Sequence, residues 1–226
     1  MNIIRLEGCD TKSTLMDELF SIYSTSMPTS EQKPRIVLEK MLTNPDYYFY
    51  ISSEDNLVIG FIIIYSPSYC DYCLLEYIAV DSKIRNKGYG GEMMKFLTKE
   101  FHNKNMLIEV DSPLQLSNDQ KIREKRVRFY VGHGSLCIEG LNYILPLNTN
   151  ETPPNMMLMI CSKNYKNYIC KEKIISWLTD IYVTVYGCNQ HDERIKIMVD
   201  PLPEEIKILD YELIKNYHIS STSKKV

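Results

Sequence analysis

No stretch of this 226-residue chain approaches the roughly 18 consecutive apolar residues of a membrane-spanning helix. Its first ten residues, MNIIRLEGCD, lack the basic start and the apolar run of about 7 to 15 residues that mark a secretory signal. A cytoplasmic protein with no membrane partner is expected. Surplus charge is scarce as well: 26 Lys and Arg against 29 Asp and Glu leave a net charge of −3, so no global positive field draws the chain to nucleic acid or anionic lipid. The four histidines (102, 133, 191 and 218) are scattered, and neither a catalytic triad nor a metal site can be assembled from them. The C-x-x-C of Cys70 and Cys73 has no second pair and no nearby histidine, which argues against zinc. Seven cysteines are an odd number and mostly far apart, unlike a disulfide scaffold, so reduced thiols are expected. There is no internal repeat and no low-complexity block.

What remains is ordinary globular composition, with 44% hydrophobic, 24% charged and 11% aromatic residues, enough for a substantial core. Apolar spacing predicts a strand over 2–6, a helix with Leu15, Leu19, Ile22 and Ser26 on its face and Met16 and Tyr23 beside it, and a stop at Met27-Pro28. A short helix is predicted from Pro34 to before Asn44-Pro45. Strands over 47–52 and 57–65 then flank the polar turn 53–56. The run 74–80 reads as a strand, 88–102 as a helix through Met93, Met94, Leu97 and Phe101, and 106–110 as a strand. A helix over 119–131 follows, then β-rich stretches over 142–147 and 156–161 with a turn at 149–154. Past residue 163, Ile174, Trp177, Leu178, Ile181 and Val185 form a helical stripe that Gly187 ends. Ile195, Ile197 and Val199 alternate like a strand, Pro201 and Pro203 punctuate, and the closing SSTSKKV reads as disordered.

The most informative segment is LLEYIAVDSKIRNKGYGGEMMKFL, residues 74–97, in which an apolar strand meets a basic, glycine-rich turn that opens an amphipathic helix. Gly88, Gly90 and Gly91 permit close backbone approach, the helix start exposes N–H groups and partial positive charge, and Arg85 and Lys87 add full charges. That chemistry suits a pyrophosphate. The dinucleotide fingerprint is excluded because Met93 stands where its third glycine would be, and the P-loop pattern is absent. The order strand, Val80-Asp81, Arg85-Asn86-Lys87-Gly88-Tyr89-Gly90, helix closely resembles motif A of the GNAT superfamily of acyl-CoA dependent N-acyltransferases, whose R/Q-x-x-G-x-G/A signature it meets in full. Tyr130, with Gly132 and Gly134 after it, falls at the family's helix-end tyrosine. Arg123 stands where the family often has asparagine, and Gly134-Ser135 replaces its usual Gly-Phe.

The resemblance implies an α+β fold, a central mixed, mostly antiparallel sheet flanked by helices, over residues 1–162, with 163–226 as a helix-strand extension packed on it through the Trp177 stripe. It implies acetyl-CoA as co-substrate, without metal. Main-chain N–H groups of Arg85, Asn86, Lys87, Gly88, Tyr89, Gly90 and Gly91 would hold the pyrophosphate. The co-substrate would lie where the strand 74–80 splays from 106–110, with amides near Ile78 and Val80 polarising the thioester carbonyl. Tyr130 would donate a proton to the departing thiolate.

Direct transfer needs a neutral amine and therefore a base for an amine that titrates near 10. Glu76 is the first candidate, because it is the one charge in 74–80 and shares the face of Ile78 and Val80. A structural ion pair with a neighbouring cation is the competing reading. Glu109 one strand over carries the same ambiguity. Glu31 sits where an acceptor pocket is expected and could bind a cationic acceptor, against a plain solvated loop residue. The basic helix 119–131 lacks interleaved aromatics and reads as a solvated face rather than a nucleic-acid surface. The activity expected is acetyl transfer to a primary amine of a small molecule or peptide. The alternative is a non-catalytic acyl-CoA binding module. The extension is expected to close the acceptor site or form a homodimer contact.

Overall fold

The computed structural model describes residues 1–115, 117–146, 155–165 and 167–222, with backbone only at Ser30 and 217–222. The chain divides into two compact units, 1–106 and 107–226. The strands pair mostly antiparallel and helices cover them, the fold class expected from the sequence.

The first unit is a meander in the order β1 (Asn2–Leu6), β2 (Tyr47–Glu54), β3 (Leu57–Tyr65) and β4 (Tyr72–Val80). Its tightest turn joins β2 to β3 through Asp55 and Asn56, both left-handed, with φ of 48° and 63°. Two central residues at positive φ match the right-handed twist of paired strands, and Asp and Asn tolerate that region better than bulkier side chains do. The strand β3 is buried from Ile59 to Tyr65, so it reads as a continuous apolar run rather than an alternation.

Helices α1 (Thr14–Ser26) and α2 (Arg35–Leu42) precede the hairpin. Ser13 caps α1 by accepting from the Met16 N–H, and the buried face is Met16, Leu19, Ile22 and Tyr23, shifted from the stripe read through Leu15 and Ser26. α1 packs on β3. α3 (Tyr89–Glu100) follows β4 and buries Met93, Met94 and Leu97.

The second unit begins with β5 (Asn105–Asp111), whose first two residues close the first unit. α4 (Gln120–Val131), β6 (Ser135–Ile138), β7 (Tyr143–Ile144), β8 (Asn155–Cys161) and β9 (Tyr168–Cys170) follow, and then α5 (Lys171–Asp180), a π-helical turn at Ile181–Val185, α6 (Glu193–Val199), β10 (Glu205–Leu209) and α7 (Tyr211–Thr222). The strand order is β5, β8, β6, β10, β9, with β7 on β8. Strand β10, which belongs to the extension, inserts between β6 and β9, with Ile208 opposite Ile138 and Ile206 opposite Ile169. Trp177 is 2% exposed, and Ile174, Leu178 and Ile181 of its stripe are buried.

The structure corrects several readings. The segment Ile195 to Val199 is helix α6, not a strand: Asp192 caps it by accepting from the Arg194 N–H, and Ile195, Met198 and Val199 face inward while Ile197 is 62% exposed. Within the stretch 142–147, among the described residues, Tyr143 and Ile144 form β7 and pair with Met156 and Asn155. The expected turn at 149–154 lies outside the described residues. Helix α7 extends through Thr222, so Ser220 to Thr222 are helical, and 223–226 lie outside the described residues. All seven cysteines are free thiols. Among the described residues no helix is long and apolar enough to cross a membrane.

Candidate functional site

In the first unit, two features of β4 and its downstream loop converge on one strand. The first is the loop itself. Asp81 donates its N–H to the Ile59 carbonyl at 2.9 Å and accepts from the Lys83 N–H at 3.0 Å, which ends the strand in a 3-10 turn. Arg85 then folds back, its Nε donating to the Val80 carbonyl at 3.1 Å and its Nη2 to Ser26 Oγ at 3.3 Å. Asn86 and Gly88 are left-handed, with φ of 67° and 89°. A Cβ at Gly88 would meet nothing within 4 Å, so glycine is needed there for backbone conformation and not for space.

Gly88 is the N-cap of α3, and the Glu92 N–H is the first to close onto its carbonyl, at 3.2 Å. The N–H groups of Tyr89, Gly90 and Gly91 therefore have no intrahelical acceptor. Together with the partial positive charge of the helix end they make an electropositive helix start, beside the exposed Lys87. The Tyr89 hydroxyl donates to Glu54 at the end of the β2–β3 hairpin, which ties the first helical residue to the sheet.

The second feature is Glu76. Across β3 and β4, Ile63 lies opposite Tyr77 and Ile64 opposite Leu75, so Glu76 is the extra residue of a β-bulge. A bulge breaks the ladder locally and re-aims its side chain. The Glu76 side chain is 4% exposed. Its Oε2 accepts from Lys33 Nζ at 3.0 Å, and its buried Oε1 has no hydrogen-bond partner. The ion pair weighed as the competing reading is thus present, and it occupies one carboxylate oxygen only. Lys33 Nζ also lies 5.6 Å from the centre of the Tyr77 ring. Burial pushes the Tyr47 hydroxyl well above the ordinary phenol range, and the neighbouring Glu76 charge adds to that rise.

Glu31 ends a 3-10 turn at Thr29–Glu31 and is exposed. Its main-chain carbonyl accepts from the Tyr77 hydroxyl at 3.4 Å, which brings it to the rim of the Glu76 group. Lys33, Tyr47 and Tyr77 carry no local sequence signal of a shared site, being a lysine in a loop and tyrosines in strands. Ile78 and Val80 are on β4 downstream of the bulge, with Ile78 opposite Ile62 and Val80 opposite Gly60. A Cβ at Gly60 would stand 2.5 Å from the Ala79 carbonyl, so glycine there admits the close strand crossing.

The second unit holds the other sequence candidates. Glu109 accepts from the Tyr143 hydroxyl on one oxygen and from the Tyr186 hydroxyl on the other, the latter at 2.5 Å. Tyr186 comes from the extension. Tyr130 closes α4 and is buried, and burial holds its hydroxyl up at about 12, so it keeps its proton across the physiological range. Of the basic residues of α4, Arg123 pairs with Asp119, Arg126 with Asp111 at 2.7 Å, and Arg128 with Glu124 and Glu212. Each of the three is matched by a carboxylate, in keeping with a solvated helix face. Among the described residues, no three His, Cys, Asp or Glu side chains gather as a metal site.

The family model described as the acetyltransferase (GNAT) family matches residues 15–123, which contain the whole of β4, the loop and α3. No curated protein matches the sequence. Among solved structures, a putative acetyltransferase of the GNAT family from Bacteroides thetaiotaomicron is 21% identical, with a TM-score of 0.67 over 84% of this chain and 100% of that one. An aminoglycoside 6'-N-acetyltransferase complexed with coenzyme A is 19% identical, with a TM-score of 0.53 over 71% of this chain and 96% of that one. A GNAT-like decarboxylase in complex with isobutyryl-CoA is 14% identical, with a TM-score of 0.54 over 72% and 99%. At such identities the likeness is one of fold.

Proposed function

We propose, because residues 15–123 match the acetyltransferase (GNAT) family model, that the protein moves the acetyl group of acetyl-CoA to a primary amine by direct transfer. The observation that carries the reading is the end of β4: a buried carboxylate on a bulge, followed within the same strand and loop by a left-handed turn and an unsatisfied helix start. The N–H groups from Arg85 to Gly91 would hold the pyrophosphate of the co-substrate, and amides near Ile78 and Val80 would polarise the thioester carbonyl. That solved relatives of this fold are bound to coenzyme A or isobutyryl-CoA supports an acyl-CoA ligand.

Glu76 accepts the proton of the acceptor ammonium through Oε1, while its Oε2 stays oriented by Lys33. The neutral amine attacks the carbonyl carbon, the C–N bond forms, the C–S bond breaks, and coenzyme A leaves as its thiol. Glu31, at the rim, attracts a cationic acceptor, a small-molecule amine or a peptide amine. Glu109, with both oxygens held by tyrosines, is the second carboxylate assigned to acceptor binding. Residues 1–162 form the catalytic region in this reading and 163–226 an appended part, with the reaction run in the cytoplasm.

The test is a panel of amines (amino sugars, amino acids, diamines and peptides) with acetyl-CoA, read as released thiol. Amine-dependent release supports the enzyme. Tight acetyl-CoA binding with no release for any amine would assign a non-catalytic binding module instead.

Tyr130 is proposed as the acid that meets the departing sulfur, a role that its retained proton permits. Tyr130→Phe keeps the ring and deletes only the donor, so turnover should fall about tenfold or more. The melting temperature at neutral pH should stay nearly constant. With the folded value of Tyr130 near 12 and an ordinary phenol near 10, wild-type stability keeps its full value below pH 10 and falls as pH rises through about 12, because ionising the buried hydroxyl is costly in the folded state only. The Phe variant should therefore lose less stability across that interval. Normal turnover with a lower melting temperature would assign Tyr130 to packing.

A further inference from the structure

The contact between Lys33 and Glu76 has the composition of an acceptor bound to its base. Lys33 is a primary amine whose Nζ stands 3.0 Å from the Glu76 carboxylate, and its side chain is 23% exposed where that of Glu76 is 4% exposed. The lysine thus reaches from the surface into the buried group. Its main chain is fixed: the Lys33 N–H donates to the Tyr23 hydroxyl at 2.7 Å, and the side chain of the preceding residue braces the segment, Gln32 Nε2 donating to the carbonyls of Ser24 and Met27 at 2.9 and 2.8 Å. Pro34 follows and is itself the N-cap of α2. Tyr23 is anchored in turn, edge-on to Tyr77 with ring centres 5.1 Å apart. A lysine held on so rigid a segment is presented in one place, which is the condition under which an intramolecular transfer gains most over a bimolecular one.

Other lysines are held differently. Lys104 Nζ donates to the carbonyls of Pro67 and Cys70, and Lys171 Nζ to that of Leu202, groups that cannot take a proton. Lys215 pairs with Glu124, but on the exposed face of α4. Lys33 combines a buried carboxylate with a position beside the strand proposed to carry the thioester.

We propose that Lys33 is an acetyl acceptor in its own right, modified by the same molecule that binds the acetyl-CoA. The step rests on the acetyl-transfer reading above. Lys33 Nζ gives a proton to Glu76, its lone pair attacks the thioester carbonyl carbon, and the C–N bond forms as the C–S bond breaks. Coenzyme A departs as thiol after taking up one proton, and Lys33 becomes a neutral amide. Acetylation neutralises Lys33, so Glu76 Oε2 loses its ion pair while Oε1 remains the proton acceptor for an external amine.

The test uses the full chain and acetyl-CoA with no added amine, followed by peptide mass spectrometry. One acetyl group should accumulate at Lys33 far ahead of the other lysines, at a rate per molecule independent of protein concentration. The unfolded chain should show only slow, evenly spread background. Glu76→Gln should slow Lys33 labelling at least tenfold, and Lys33→Arg should abolish it. Labelling spread over exposed lysines at the unfolded rate, or a rate that rises with protein concentration, overturns the proposal. If added amines drive thiol release from acetyl-CoA and Lys33 stays unmodified, this inference fails and the proposed function stands; if there is neither amine-dependent release nor Lys33 labelling, both fail.

Discussion

Glu76→Gln should lower turnover at neutral pH by about a hundredfold to ten-thousandfold, the usual worth of a general base, and leave acetyl-CoA affinity nearly unchanged. The substitution keeps the shape of a side chain packed at a bulge and deletes only its ability to hold a proton. Lys33 loses its counter-ion, but it is partly exposed and can turn to water, so the variant avoids the large cost of an isolated buried charge. Lys33→Met is the harsher change, because it leaves the buried carboxylate without its partner. The rates of wild type and Glu76→Gln should converge as pH rises toward the amine's own value near 10, where more of the acceptor is already neutral. Full activity of the variant at neutral pH would move the base elsewhere. Glu109 comes next: its two oxygens accept from Tyr143 and Tyr186, so it would have to release one of them to act.

A folded Gly90→Val chain should show no rise in melting temperature on adding acetyl-CoA. In the wild type, ligand at a hundred times Kd contributes about 2.7 kcal/mol, a rise of several degrees for a chain of this size. Replacing Gly90 separates binding from folding where replacing Gly88 does not. Gly88 sits at φ 89°, where any side chain strains the backbone, so its replacement would confuse folding with binding. Gly90 is outside the left-handed region, in the first turn of α3, and a valine there costs the helix no more than glycine does. What valine adds is bulk over the N–H groups of that turn. A shift equal to that of wild type in a folded Gly90→Val variant would remove the pyrophosphate from this loop.

Much of the first unit was legible because its signals are local. The apolar run of β3, the proline and glycine punctuation around α2 and α3, and the Arg85 to Gly91 loop are each written within a dozen residues, and the structure returns them with ends moved by a residue or two. Alternation failed where two periods coincide. Ile195, Ile197 and Val199 satisfy a strand, but Ile195, Met198 and Val199 satisfy a helix, and seven residues are too few to separate them. The Asp192 cap and packing against α5 and β7 decide for the helix. Strands β6 and β10 went unread for a related reason: a strand of four or five residues is stable only through its partner, and β10 finds β6 some seventy residues back along the chain.

The sequence by itself determined which residue types could carry the chemistry and where the glycine-rich turn proposed to bind phosphate lies, because backbone conformation at glycine and helix starts is a property of neighbours along the chain. Tertiary structure alone decided their company. Glu76 meets Lys33 across 43 positions and Glu109 meets Tyr186 across 77. Such pairings leave no periodic trace, since a side-chain contact between distant residues depends on the packing of every element between them.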